Sequence, residues 1–285
     1  MLPKPEIKYN LKKFVEDWKE ETKENEGSQT FWNEFGQALK EGPAEDMTNK
    51  EAVAKLLRFS STETDSSDQT VSLTDYVSRM KEGQDKIYFV SAENFETAKN
   101  SPHLEVFRKK GIEVLVMYDR VDEWLMSHLQ DFDGKQFQDV GKGELDLGEL
   151  EGEEDKKEKE KLETENKDLI ERVKKILTDK VEDVRVTNRL TDSPACLVVG
   201  NDDMGAQMRR ILEQAGQSMP ATKPSLELNP EHPLVQKLDK ESDEDRFSDL
   251  VEILFDQSTL AEGGQLEDPA SYVHRLNKLL LELSH

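Results

Sequence analysis

The sequence predicts an α/β (α+β) protein in two parts: a segment built around a βαβ unit, then a mixed α+β segment ending in two helices. Three observations carry this reading. Ile87-Tyr88-Phe89-Val90 and Ile112-Glu113-Val114-Leu115-Val116-Met117 are compact β-rich runs joined by a helical stretch, the pattern of a parallel strand pair. Residues 142–160 hold few apolar residues and run through Glu149, Glu151, Glu153, Glu154 and Asp155 before alternating Lys and Glu, which marks a solvated linker. We draw it at 146–160, between parts 1–145 and 161–285. The chain then closes on two apolar helical stripes, roughly 243–262 and 269–283.

The elements follow in order. Residues 11–24 suit a short charged helix with Leu11, Phe14, Val15 and Trp18 on one face. Residues 30–58 read as helical, with a break at Gly42-Pro43 and a second helix carrying Ala52, Val53, Leu56 and Leu57. The Ser/Thr/Asp-rich stretch 60–69 reads as a loop, and Leu73, Tyr76, Val77 and Met80 as a helix starting near Ser72. In the βαβ unit the helical stretch 93–110 breaks at Ser101-Pro102 and stops at Gly111. A further helix starts at Val121. Leu162, Leu169, Ile170, Val173, Ile176 and Leu177 mark one long amphipathic helix. Strands follow around Val184–Leu190, at Ala195–Val199 and at Leu226–Leu228, with a helix over 202–215 that stops at Gly216. Asp268-Pro269 starts the last helix with an N-cap acceptor and a first-turn proline.

Composition narrows the function. A formal charge of −23 repels nucleic-acid phosphates and anionic membranes, so neither is expected as a partner. No apolar run approaches the ~20 residues of a membrane span. The N-terminus lacks a basic, then apolar, secretory pattern, and the single cysteine, Cys196, fits a reducing compartment. A cytoplasmic protein is expected. No catalytic residues emerge: there is no glycine-rich phosphate loop, nucleophile elbow or His-Glu-x-x-His zinc motif. The five histidines show no metal-ligand spacing. Cys196, within an apolar strand, reads as an inert core thiol. A doubly wound enzyme would need a ligand site at the strand C-ends, but the turn Val90-Ser91-Ala92-Glu93 offers no glycine to admit a phosphate.

Three apolar constellations remain. In the terminal helices Phe247, Leu250, Val251, Leu254 and Phe255 face one way, as do Val273, Leu276, Leu279, Leu280 and Leu283. Packing on their own domain is the plain account. Ile253, Tyr272 and Leu281 lie off the stripes, however, so the apolar arc is wider than one contact needs, and a two-fold four-helix interface would bury it. Met204, Met208, Ile211 and Leu212 share one side of the 202–215 helix, beside Arg209 and Arg210. Methionine adapts to varied apolar partners, but an ordinary core helix has the same pattern. Trp124 poses the same choice between a buried ring and an exposed binding surface.

Phe31-Trp32-Asn33-Glu34-Phe35-Gly36, Leu39-Lys40-Glu41-Gly42, Leu56-Leu57-Arg58-Phe59 and Tyr76-Val77-Ser78-Arg79-Met80-Lys81-Glu82-Gly83-Gln84 resemble the middle domain of the 90-kDa heat-shock chaperone family in its bacterial form (HtpG type). The resemblance continues through Ser101-Pro102-His103-Leu104-Glu105, Asp122-Glu123-Trp124, Arg189-Leu190-Thr191-Asp192-Ser193-Pro194-Ala195, Glu227-Leu228-Asn229-Pro230 and Leu266-Glu267-Asp268-Pro269. It starts at Thr30; residues 1–29 do not match, and the middle-domain arginine that reaches the ATP γ-phosphate in that family cannot be placed. The resemblance implies a late middle domain followed by the C-terminal dimerisation domain, with the ATP- and Mg-binding domain outside this chain. It therefore implies no enzyme activity and no cofactor in the chain itself. It implies a homodimer through Phe247, Leu250, Val251, Leu254, Phe255, Tyr272, Val273, Leu276, Leu279, Leu280 and Leu283. It further implies binding of unfolded or partly folded clients at Glu123, Trp124, Met204, Met208, Ile211 and Leu212. The ending Leu283-Ser284-His285 lacks the acidic pentapeptide that recruits tetratricopeptide co-chaperones. A purely structural dimerisation module is the alternative.

Overall fold

The computed structural model describes residues 25–204, 208–209, 212, 216 and 222–283. The helix expected over 11–24 lies outside them, as does most of the one over 202–215, of which residues 208, 209 and 212 are helical.

Helix α1 (Asn25–Glu45) opens the described chain. The break expected at Gly42-Pro43 does not occur, and the helix runs through both residues. Pro43 removes one i→i−4 donor, but only two residues of the helix remain beyond it, so the helix ends there rather than breaking. Gly42 admits Val53 of α2 (Lys50–Ala54): a Cβ at position 42 would stand 3.0 Å from Val53 Cγ1. Arg58–Ser61, expected as helix end and loop, is strand β1, paired antiparallel with β2 (Val71–Ser72). Its serines are misleading because both are buried; Ser60 Oγ donates to Ser67 O at 3.1 Å. Helix α3 (Leu73–Arg79) starts where expected, on a capping box in which Ser72 Oγ accepts from the Asp75 N–H at 3.0 Å.

The βαβ unit is present. Strand β3 (Lys86–Ser91) leads through α4 (Phe95–Lys99), a 3-10 turn at Pro102–Leu104 and α5 (Glu105–Lys110) to β4 (Leu115–Met117). Phe89 stands opposite Leu115 and Val90 opposite Val116, in parallel. Gly111 ends α5 in the left-handed conformation, φ 60°. Helix α6 (Asp122–His128) precedes a hairpin absent from the sequence reading, β5 (Asp131–Phe132) and β6 (Lys135–Asp139). Its two turn residues, Asp133 and Gly134, have φ of 50° and 72°, as a type I′ turn requires. Strand β6 runs parallel to β3, giving the order β2-β1-β4-β3-β6-β5. The sheet is therefore mixed, with antiparallel pairs toward both edges, and is not doubly wound.

Strand alternation covers both faces of this sheet with apolar side chains. Ile87, Phe89, Leu115 and Met117 pack beneath α1, α2, α3 and α6 through Trp32, Leu39, Val53, Tyr76 and Leu125. Tyr88, Val90, Val114 and Val116 pack against Ala98, Leu104, Phe107 and Val140 on the other face.

The acidic stretch contains a 3-10 turn at Gly148–Leu150 and helix α7 (Glu153–Glu165). The single helix expected over 162–177 is divided at Asn166, after which α8 (Lys167–Ile176) begins. Strands β7 (Val184–Val186), β8 (Ala195–Val198) and β9 (Ser225–Leu228) form a second sheet in the order β7-β9-β8. Helix α9 (Pro233–Asp239), not anticipated, precedes α10 (Glu244–Ala261) and α11 (Pro269–Leu283). Asp268 caps α11 as expected: Oδ1 accepts from the Ser271 N–H at 3.0 Å. One face of the second sheet carries Val184, Ala195, Leu226 and Leu228 against α8, α9 and α10. Cys196 is buried on the other face with Leu190 and Val198, and burial pushes its thiol well above the ordinary range.

Candidate functional site

A cleft of about 770 Å³ opens beside α6 and β6. Helix α6 contributes Glu123, Trp124 and Met126, β3 and β6 contribute Phe89, Phe137 and Asp139, and the chain after β8 contributes Asp202, Asp203, Met204, Met208 and Leu212. Five of the six residues expected to bind clients thus share one cavity; the sixth, Ile211, lies outside the described residues. The two walls are in direct contact. Glu123 Oε2 accepts the Met208 N–H at 2.8 Å, although the residues are 85 positions apart. Trp124 is half-buried, its ring centroid 4.5 Å from that of His128, so it is neither a closed core residue nor a free surface ring. Phe89, Phe137 and Asp139 were missed as site residues. The Asp133-Gly134 dipeptide between Phe132 and Phe137 was the signal that could have found the strand carrying Phe137.

The cleft rests on a buried polar joint. Arg189, 1% exposed, reaches from the chain after β7 into the first sheet's territory. Its guanidinium donates to Val140 O at 2.6 Å and Gly143 O at 3.1 Å. A guanidinium can only donate, so His103 Nδ1, 3.2 Å away, accepts. Glu227 Oε2 stands 3.2 Å from Arg189 Nε, and Arg185 pairs with the other oxygen at 2.9 Å. Burial alone would raise the Glu227 carboxyl, but Arg189 and Arg185 outweigh it and hold it below its usual value. Nearby, Glu105 grips the β7–β8 connection: its carboxylate accepts the N–H groups of Thr191 at 2.6 Å and Asp192 at 2.8 Å, and the Ser193 hydroxyl at 2.5 Å. Burial opposes its ionisation, yet the Ser193 hydroxyl and these amides together lower its pKa.

A second buried cation lies within the first part. Lys40 Nζ sits 2.6 Å from Asp122 Oδ1 and 2.7 Å from Asp119 Oδ2, tying α1 to the start of α6. Gln69 donates to Asp119 at 2.8 Å and accepts the Trp32 indole N–H at 2.8 Å. This network holds the helix that presents Glu123 and Trp124.

The terminal helices divide differently from the sequence stripes. Phe247, Val251 and Leu254 are buried in their own part's core, with Leu250 and Phe255 packed against it. Tyr272, Leu276 and Leu279 are half-buried. Val273, Leu280 and Leu281 are exposed at 52%, 55% and 66%. The Leu283 side chain lies outside the description.

Among the described residues no His, Cys, Asp and Glu cluster could hold a metal ion, and no helix is long and apolar enough to cross a membrane. The described residues form a mixed-sheet scaffold with a cleft of mixed apolar and acidic lining and a terminal helix that leaves Val273, Leu280 and Leu281 exposed. The family model for Hsp90 protein matches residues 6–284, so the chain belongs to the Hsp90 family of chaperones. That match starts well before Thr30, which corrects the reading of residues 1–29 as wholly unmatched.

Proposed function

We propose that this chain is the client-binding and dimerising portion of a bacterial-type, cytoplasmic Hsp90 chaperone. The observation that carries the reading is the convergence of Glu123 and Trp124 with Met204, Met208 and Leu212 on one cleft. Thioether and aromatic side chains adapt to varied apolar partners at modest cost, as weak holding of partly folded chains requires. The exposed Val273, Leu280 and Leu281 support a homodimer through α10 and α11. Phe247, Val251 and Leu254 would back that interface from beneath.

The 285-residue chain by itself is proposed to turn over no ATP. Its cleft does not suit a nucleotide's phosphates: Glu123, Asp139, Asp202 and Asp203 line it, and the ammonium of Lys142 is bound to Asp203 O at 2.8 Å. Phosphate release by the purified chain, persisting after removal of contaminating ATPases, would overturn this.

The client-binding reading is tested by suppression of aggregation of a thermally unfolding reporter protein. Trp124→Ala and Met208→Glu are expected to lower suppression several-fold while the sedimentation mass stays near twice 32.7 kDa. Unchanged suppression with an intact dimer would leave a purely structural dimerisation module.

A further inference from the structure

Resting on the client-binding reading, we propose that the cleft selects cationic apolar segments, extended stretches in which Lys or Arg alternates with aromatic or aliphatic residues, and disfavours acidic ones. Its lining combines two chemistries. One is apolar and deformable: Trp124, Met126, Phe137, Met204 and Met208. The other is anionic: Glu123, Asp139, Asp202 and Asp203 lie around the same space. Those four acids face one lysine in the lining, Lys142, whose ammonium donates to the Asp203 carbonyl at 2.8 Å, so acidic groups are in excess.

The carboxylates are placed differently. Glu123 spans the walls through the Met208 N–H. Asp203 Oδ2 accepts the Gly200 N–H at 2.7 Å and shapes the turn before Met204. Asp202 is exposed at the rim, where an arriving cation meets it first. Asp139 ends β6, and Oδ1 accepts the Gly141 N–H at 2.9 Å. Burial raises the Asp139 carboxyl above its ordinary value, against the opposing pull of Lys142 and the Gly141 N–H. A cation drawn into the cleft would relieve that cost, because a carboxylate surrounded by protein gains more from an opposite charge than one in water. Gln130, Gln136 and Gln138 add side-chain amides to the lining, able to bond the backbone of an extended occupant. The chain's charge of −23 would speed the approach of a cationic segment, but it acts on the whole surface and sets no site.

The test uses three unstructured fluorescent peptides of equal length and apolar content, with lysine, serine or glutamate at the alternate positions. Anisotropy titrations are run on the full chain at physiological salt. We expect the lysine peptide to bind about tenfold tighter than the serine peptide, from two or three partly desolvated charge pairs, and the glutamate peptide to bind weakest. The double variant Asp139→Asn, Asp202→Asn changes the net charge only from −23 to −21, so a surface-wide attraction survives it. A site-based preference collapses, so the ratio of lysine-peptide to serine-peptide affinity falls toward one. Equal affinities for the three peptides, or a lysine preference untouched in the double variant, would overturn the proposal. If Trp124→Ala left serine-peptide binding intact, the client-binding reading of the cleft would fail instead; loss of serine-peptide binding in Trp124→Ala with no charge preference would sink only the present inference.

Discussion

The two sheets bury their faces by different means. The six-stranded sheet is apolar on both sides, with Ile87, Phe89, Leu115 and Met117 under one helical layer and Tyr88, Val90, Val114 and Val116 under the other. The three-stranded sheet has its main core on one side; the other side pairs a small cluster, Leu190, Cys196 and Val198, with buried charge. On β9, Leu226 and Leu228 point into a core while Glu227 between them points the other way, to Arg185 and Arg189. The first part closes on itself. The second is joined to the first through charge and backbone hydrogen bonds, and its last helix keeps apolar residues in solvent. A self-contained layer beside an ionic joint and an open apolar rim is an arrangement suited to relative movement and assembly, because hydrogen-bonded polar contacts can be exchanged for water more readily than a dry core.

The comparison can be broken first at its most enclosed charge. Lys40 is 1% exposed and pairs with two carboxylates, of which Asp122 is wholly buried. Lys40→Ala should cost about 3–5 kcal/mol in urea unfolding, since it strands two acids. A loss below about 1 kcal/mol would mean the first part tolerates charge as easily as the joint does. The open rim comes second. Leu280→Glu with Leu281→Glu should leave the circular dichroism unchanged but weaken dimerisation about a hundredfold, ~2.7 kcal/mol, by sedimentation equilibrium. An unchanged mass would separate assembly from these residues.

The joint gives the smallest effect. Glu105→Gln keeps one acceptor but removes the charge that holds the 191–193 amides, so about 1–2 kcal/mol is expected at neutral pH. The pH dependence has a definite sign. The folded Glu105 and Glu227 carboxyls lie below their ordinary value, so their contribution is present above pH 4.5 and is lost as pH falls through the folded values. The unfolding midpoint should drop on acidification below that point, and Glu105→Gln should flatten the drop. An identical slope in the variant would remove Glu105 from the joint's stabilisation.

Much of this was legible in the chain. The β-rich runs at 87–90 and 112–117, the stops at Ser101-Pro102 and Gly111, and the Asp268 cap are local events, decided by side-chain period and backbone freedom within a few residues. The elements that were missed depend on distant partners. Ser60 and Ser61 become strand because β4 and β2 lie on either side of β1, and their burial overrides their polarity. Gly42-Pro43 stays helical in a last turn that packs on Val53. Phe137 is unremarkable until its hairpin adds to β3.

The candidate site divides in the same way. The family resemblance marked Glu123, Trp124, Met204, Met208 and Leu212, whereas residue types alone favoured an ordinary core helix and a buried ring over a binding surface. Only the tertiary structure set Glu123 against the Met208 amide, 85 residues away, and put Asp139 in the same space. The physical reason is range. Helical period, caps and turns are fixed by neighbours along the chain, so a sequence carries them openly. A cleft is a relation between segments that the chain keeps far apart, and it exists only once the sheets, the Lys40 pair and the Arg189 joint have brought those segments together.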